Sequence, residues 1–180
     1  MKATGIVRRI DDLGRIVIPK EIRKTLHIRE ADAMEIFTDR EGQIILKKYS
    51  PIEEMSGFAQ RLAESIAQVS GHVLLISDCD RFIAAAGGCR EIVGKALSRQ
   101  VEEKLFYRMV VFAAKGDRSF IPVSTEETEN FCQEIIVPVL SGGDLIGGVM
   151  MLENEPRRKL GEAEQKLALA AAAFLGRQME

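Results

Sequence analysis

Residues 1–50 read MKATGIVRRIDDLGRIVIPKEIRKTLHIREADAMEIFTDREGQIILKKYS. Over residues 1–29, eight basic groups (Lys2, Arg8, Arg9, Arg15, Lys20, Arg23, Lys24 and Arg29) stand against three acidic ones (Asp11, Asp12 and Glu21). That is a local excess of +5 in a chain of formal net charge −2. A cationic head on an acidic body is the charge pattern of a nucleic-acid binder that touches phosphate with only one of its parts.

The same stretch dictates short elements. Thr4–Ile10 and Gly14–Ile18 have the β-branched content of strands, with turn residues Asp11-Asp12-Leu13-Gly14 between them. Pro19 suits the start of a short helix from Lys20 to about Leu26. Met34–Thr38 and Gln43–Lys47 form a second strand pair around the hairpin turn Asp39-Arg40-Glu41-Gly42. Four short strands and two helical turns bury little core in fifty residues, yet the segment is rich in Ile, Val and Leu. The simplest cover is a second copy, which predicts an intertwined homodimer through residues 1–50. At 100° per residue, Lys20, Arg23, Lys24 and His27 share one face of the short helix, while Ile22, Thr25, Leu26 and Arg29 fall opposite. Only Glu21 lies close enough in sequence to neutralise the cationic stripe, and Arg8, Arg9 and Arg15 add to it. In a strand Arg8 and Arg9 point to opposite faces, so only one of them shares the surface of the helix.

The run from Thr4 to Leu26, TGIVRRIDDLGRIVIPKEIRKTL, strongly resembles the AbrB-type swapped-hairpin DNA-binding domain. The resemblance covers residues 1–50 nearly continuously. It implies a dimer of interleaved hairpins forming a small β-barrel, whose basic residues grip double-stranded, A/T-rich, deformable DNA. The family's DNA-contacting arginines fall on Arg8, Arg15 and Arg23, with Lys24 at the fourth position; Lys2, Arg9 and Lys20 are the accessory cations. Lysine keeps the charge at 24 but lacks the planar fork of arginine. His27 stands where many relatives have glycine and reads as a surface histidine. The remainder of the chain resembles a GAF-like sensor domain, and the pairing of the two implies a regulator of sporulation-stage gene expression, acting as activator or repressor.

The expected domains are residues 1–50, DNA-binding, and 51–180, GAF-like, because the charge changes from net +3 to net −5 at the join. Ser50-Pro51-Ile52-Glu53 reads as a helix start, with Ser50 as N-cap, Pro51 first in the helix and Glu53 closing a capping box. Ile52, Met55, Ala59, Leu62, Ile66 and Val69 then repeat at spacings of three and four, a heptad seam running up to Gly71. That seam serves either packing on the chain's own sheet or pairing with its counterpart in another subunit. Val73–Ser77 and Arg81–Ala86 read as strands, Ser98–Ala114 as a helix, Ser119–Val123 as a weak strand, and Gly161–Met179 as the last helix. Glu134–Leu140 and Leu145–Leu152 form a hairpin apolar enough to be covered on both faces. The order suits an α+β fold, an antiparallel sheet with helices packed on it, the first and last helices lying side by side and available to make a tetramer.

Several function classes lose support. No apolar run approaches the ~20 residues needed to span a bilayer, and the polar N-terminus has no signal-peptide pattern, so a cytoplasmic protein with no membrane partner is expected. Cys79, Cys89 and Cys132 are odd in number, widely spaced and free of a Cys-x-x-Cys, which fits structural thiols in a reducing compartment. The glycine pairs 87–88, 142–143 and 147–148 lack phosphate-loop spacing, and His72 is the sole histidine after residue 50, so no metal or cofactor is expected. A small-molecule effector of unspecified identity remains one use of the C-terminal domain, with a pocket between the sheet and residues 87–131; pure oligomerisation is the other. Two alternatives compete with a regulator. An antitoxin would use a related fold but ordinarily ends in a disordered tail. A cysteine redox enzyme on a GAF fold would have only Arg81 and Arg90 near its thiols in sequence.

Overall fold

The computed structural model describes residues 5–26, 28–30, 32–126 and 131–179. The chain divides into two compact units, Met1–Tyr49 and Ser50–Glu180.

The first unit contains helix α1 (Lys20–Thr25) and the hairpin β1 (Met34–Thr38) and β2 (Ile44–Lys48). The two strands pair antiparallel from Met34↔Lys48 to Thr38↔Ile44. Asp39 organises the turn: its Oδ1 accepts from the N–H of Glu41 and of Gln43, each at 2.9 Å, and Gly42 supplies the left-handed residue at φ 78°. The expected strands over 4–10 and 14–18 do not form. Thr4 lies outside the described residues, and residues 5–10 and 15–19 carry no strand assignment. A strand exists only through a neighbouring strand, and among the described residues of this unit the one pairing is that of β1 with β2. Among its described residues not one is buried.

The second unit is a five-stranded antiparallel sheet of β3 (Val73–Ser77), β4 (Phe82–Ala86), β5 (Val111–Ala114), β6 (Gln133–Ser141) and β7 (Asp144–Glu153), in the order β4-β3-β7-β6-β5. Alternation along the strands feeds two cores. Leu74, Ile76, Ile135, Val137, Val149 and Met151 point to α3 (Ser56–Ser70) and α5 (Glu162–Arg177), meeting Ala59, Ala63, Ala168 and Ala172. Leu75, Ile136, Met150 and Leu152 point to the opposite face, under α4 (Arg99–Phe106) and the irregular segments carrying Ile92, Leu97, Ile121 and Phe131. Alanines on the helices permit close approach to the sheet. At Gly176 the approach is closest: a Cβ there would stand 2.0 Å from the Leu140 carbonyl oxygen.

Several local readings are corrected. Ser50 is an N-cap by position, before a one-turn helix α2 (Pro51–Glu54), but makes no side-chain cap hydrogen bond. Its hydroxyl donates instead to Asp78 Oδ2 at 3.3 Å, a tertiary partner that replaces the expected capping box. Met55 interrupts the helix, with φ −98° and ψ 20°. The buried stripe then runs through Ala59, Ala63, Ile66 and Ala67, and Val69, the last position of the expected seam, is 85% exposed. Gly71 ends α3 at φ 73°, as expected. The helix expected over 98–114 stops at Phe106. Arg108 turns left-handed at φ 54°, and the β-branched run that follows becomes β5, pairing from Val111↔Ile136 to Ala114↔Gln133. Residues 119–123 form no strand, although the Ile121 N–H donates to Glu134 Oε1 at 2.9 Å.

Two buried polar groups tie this unit together. His72, just after α3, places Nδ1 2.6 Å from Glu153 Oε2 at the end of β7. Glu153 also accepts from the Glu155 N–H at 2.7 Å and sits 3.4 Å from Arg158 Nε. Burial pushes the Glu153 carboxyl up, but the Glu155 N–H, His72 and Arg158 together outweigh it and hold it below the usual carboxylate range. Glu164 caps α5 by accepting the Gly161 N–H at 2.8 Å, and faces His72 Nε2 at 3.9 Å. Glu134 is fully buried on the α4 side of the sheet. Its Oε2 has no hydrogen-bond partner among the described residues. Burial pushes its carboxyl up to about 7, against the opposing pull of the Ile121 N–H.

Two stability predictions follow from these contacts. In an unconstrained helix interior, alanine is favoured over glycine by about 1 kcal/mol. Gly176→Ala is expected to do the reverse, destabilising the C-terminal unit by about 1–3 kcal/mol through the clash with Leu140, as read by urea unfolding. For Glu134, the folded-state carboxyl titrates above its ordinary value of 4.5. The unfolded chain therefore loses its proton first as pH rises, and stability declines from about pH 4.5 to about pH 7, by about 3 kcal/mol for this one group. Glu134→Gln keeps an acceptor for the Ile121 N–H and is expected to remove that decline; an unchanged pH profile would refute the assignment.

Candidate nucleic-acid interface

The cationic residues of the first unit lie on three pieces of chain. Arg8 and Arg9 are both exposed in the segment 5–10. Arg8 Nη1 donates only to the neighbouring Val7 carbonyl, at 3.2 Å, which leaves the head outward. Because this segment is not a strand within the single chain, the expected opposition of Arg8 and Arg9 across a pleat is not realised there.

Arg15 closes a tight loop. The Asp11 N–H donates to the Arg15 carbonyl at 3.1 Å and the Gly14 N–H to the Asp11 carbonyl at 3.0 Å. Asp11 Oδ1 accepts from the Leu13 N–H at 3.0 Å and the Arg15 N–H at 2.8 Å. Asp11 Oδ2 accepts from Arg15 Nε at 2.8 Å. Gly14, at φ 76°, provides the left-handed turn that brings the two residues together. The Arg15 N–H, then its guanidinium, and the Leu13 N–H hold the Asp11 carboxyl below the usual range, so the pair stays charged. The sequence alone marks Asp11 as a turn residue and one negative charge, not as a partner of Arg15. The spacing of four to Arg15 and the Gly14 between them were the available signal.

Helix α1 begins after Pro19, with φ −58° and ψ 147°, and carries Glu21 in its first turn and Arg23 and Lys24 in its last. Basic groups near the C-terminus and an acid near the start suit the helix dipole. Lys20, Arg23 and Lys24 are all exposed, and spacings of three and four put them on one face. The Thr25 hydroxyl donates back to the Glu21 carbonyl at 2.9 Å. Ile22 on the other face is only half-buried. Lys2 and His27 lie outside the described residues. Among the described residues Arg8, Arg9, Lys20, Arg23 and Lys24 make no ion pair, whereas Lys48, further along, sits 3.2 Å from Asp32.

Around these cations the unit exposes apolar side chains: Val7 at 84%, Val17 at 72%, and Ile10, Leu13, Ile36 and Ile44 at 60% or more. An apolar surface of this extent on so small a unit marks an interaction face.

In the second unit, Phe82, Leu97, Val101, Leu105 and Ile121 pack in the core on the face expected to hold a pocket. A cavity of about 540 Å³ lies elsewhere, between Glu64, Ala67 and Gln68 of α3 and the turn from Ala86 to Glu91. Arg90 at its rim is ion-paired with Glu64. Cys79, Cys89 and Cys132 form no disulfide with one another. No group of three or more His, Cys, Asp or Glu suited to a metal occurs among the described residues, and no helix of these is long and apolar enough to cross a membrane.

Residues 54–180 match the family model described as stage V sporulation protein T C-terminal, transcription factor. Residues 7–54 match the model described as antidote-toxin recognition MazE, bacterial antitoxin. Along its whole length the chain is 44% identical to stage V sporulation protein T of Bacillus subtilis (strain 168), over 181 residues that take in 100% of this chain and 99% of that one. Over 51 residues, 28% of the chain, it is 65% identical to the transition state regulatory protein AbrB of the same organism, of which that stretch is 52%. The GAF domain from an Acinetobacter phosphoenolpyruvate-protein phosphotransferase superposes with a TM-score of 0.57 at 18% identity, covering 69% of this chain and 81% of that one, which shows a shared fold. The α+β architecture is thus an AbrB-type head followed by a GAF-like unit, and the chain belongs to the stage V sporulation protein T family of transcription factors.

Proposed function

We propose that this DNA-binding transcription regulator of sporulation grips double-stranded DNA as an intertwined dimer of its N-terminal units, through Arg8, Arg15, Arg23 and Lys24, with Lys2, Arg9 and Lys20 as accessory cations. The observation that carries the reading is the exposure of Arg8, Arg9, Arg15, Lys20, Arg23 and Lys24 beside apolar side chains that one chain leaves uncovered. A second copy offers strand partners for residues 4–10 and 14–18 and an apolar face for Val7 and Val17, and it doubles the cations presented to the duplex. With no long recognition helix, α1 being six residues, selectivity falls mainly on DNA shape and flexibility, which favours A/T-rich sites. An antitoxin role is the weaker reading, because the family match over residues 54–180 is to a transcription factor. A redox enzyme is weaker still, because the same family match is to a transcription factor and only Arg81 and Arg90 lie near the thiols in sequence.

In the C-terminal unit Val69, Leu169 and Phe174 are exposed on α3 and α5, and the Phe58 and Phe174 rings meet at 5.6 Å. These helices are the proposed tetramer contact. A small-molecule effector at the α3 cavity is a further proposal, and the cytoplasm is the proposed location.

The DNA test is a salt titration. About four cations per subunit, eight per dimer, give a slope of log K against log salt of about −7. Arg15→Ala and Arg23→Ala are each expected to weaken binding and to flatten the slope by about 1 or 2 units per dimer; unchanged affinity in both would refute the interface. Assembly is tested separately by sedimentation. Val17→Glu is expected to abolish both the head dimer and DNA binding, whereas Val69→Glu with Leu169→Glu reduces a tetramer to a dimer that still binds DNA.

A further inference from the structure

Arg15 differs from Arg8, Arg9, Lys20, Arg23 and Lys24 in one respect: its guanidinium is held from behind. Asp11 Oδ1 is fixed by two backbone N–H groups, of Leu13 at 3.0 Å and Arg15 at 2.8 Å, so the carboxylate cannot swing. Its second oxygen takes Arg15 Nε at 2.8 Å. The Arg15 side chain nevertheless remains 69% exposed. One donor of five is used, and no partner among the described residues contacts the two Nη groups. The guanidinium plane is set by a rigid five-residue loop, and the Nη edge, the one that pairs with phosphate or a base edge in a two-bonded fork, is left open.

We propose that Asp11 is a positioning residue for DNA recognition, presenting the Nη edge of Arg15 to the duplex. The proposal rests on Arg15 being a DNA contact, and it goes against the simple charge argument. An exposed ion pair is worth little to folding. A carboxylate at a phosphate-binding surface repels the ligand, so charge counting alone says that removing it tightens binding. Positioning says the opposite, because a free arginine must lose the rotamer freedom of a long side chain on binding, while a pinned one has already lost it. The two effects differ in sign, which makes them separable.

Asp11→Asn is the informative change. Asparagine retains an oxygen for the Leu13 and Arg15 N–H groups and is a favoured residue in such turns, but its NH₂ cannot accept from Arg15 Nε. The probe is a duplex selected by repeated binding and amplification on the wild-type full chain, with affinity measured by anisotropy at physiological salt. The full-length D11N protein is expected to bind about fivefold more weakly despite its extra net positive charge, the ordering cost of one long side chain. In an Arg15→Ala background the same change is expected to cost nothing. Arg15→Lys, which keeps the charge and the backbone bonds to Asp11 but has no Nε fork, is expected to lose at least as much as D11N; full affinity in R15K overturns the proposal. D11N binding as tightly as wild type or tighter also overturns it, as does an equal loss in the Arg15→Ala background. Full affinity in Arg15→Ala alone overturns the Arg15 contact itself, which is a distinguishable failure.

Discussion

The N-terminal unit cannot bury its own apolar side chains, and most of what is distinctive about this protein depends on that constraint. Thirteen large apolar residues between Ile6 and Tyr49 are exposed among the described residues, and not one described residue of the unit is buried. At about 25 cal/mol per Å² of apolar area, the cost of leaving them in water is far above the stability a two-stranded hairpin and a six-residue helix can supply. The proposed dimer answers this deficit: two halves joined through an apolar seam would present the cations twice, related by symmetry.

The C-terminal unit makes the opposite demand. Its sheet is covered on both faces within one chain, by α3 and α5 on one side and by α4 with the irregular segments on the other. The His72–Glu153 contact and the Glu164 cap fasten the end of α3, the end of β7 and the start of α5 to one another. The two helices that expose Val69, Leu169 and Phe174 are thus held on the sheet as a prepared surface rather than as loose elements.

The parts of this fold that were legible in the sequence are those fixed by local chemistry. The 34–38 and 44–48 hairpin is set by Asp39 and Gly42, the end of α3 by Gly71, and the β6–β7 pair by its apolar runs. The parts that were not legible are those where a distant group intervenes. The Ser50 hydroxyl has a local use as a cap and a tertiary one at Asp78, 28 residues on, and the tertiary one prevails. The apolar run after Phe106 suits helix or strand alike. Arg108 at φ 54° and the free edge of β6 decide for strand. Glu134 gave no sequence signal, since nothing in its neighbours foretells complete burial. At the interface the cations were countable in advance, but Asp11 was scored as one negative charge when its geometry makes it part of the Arg15 group.

The two units differ in a way that bears on regulation. In the proposed dimer, folding of the head is coupled to association, so its DNA-competent form would depend on protomer concentration. The C-terminal unit covers both faces of its sheet within one chain and follows the head directly at Tyr49–Ser50. Any assembly through α3 and α5 then turns encounter of two heads from a bimolecular event into an intramolecular one, at an effective concentration set by a short tether and not by expression level. A ligand that favoured or opposed that assembly would alter DNA affinity without touching a DNA-binding residue, and its leverage is bounded by its differential affinity for the assembled and separate states. Under the proposed assembly, the apolar deficit of the head would be the means by which a signal on the C-terminal unit reached the DNA.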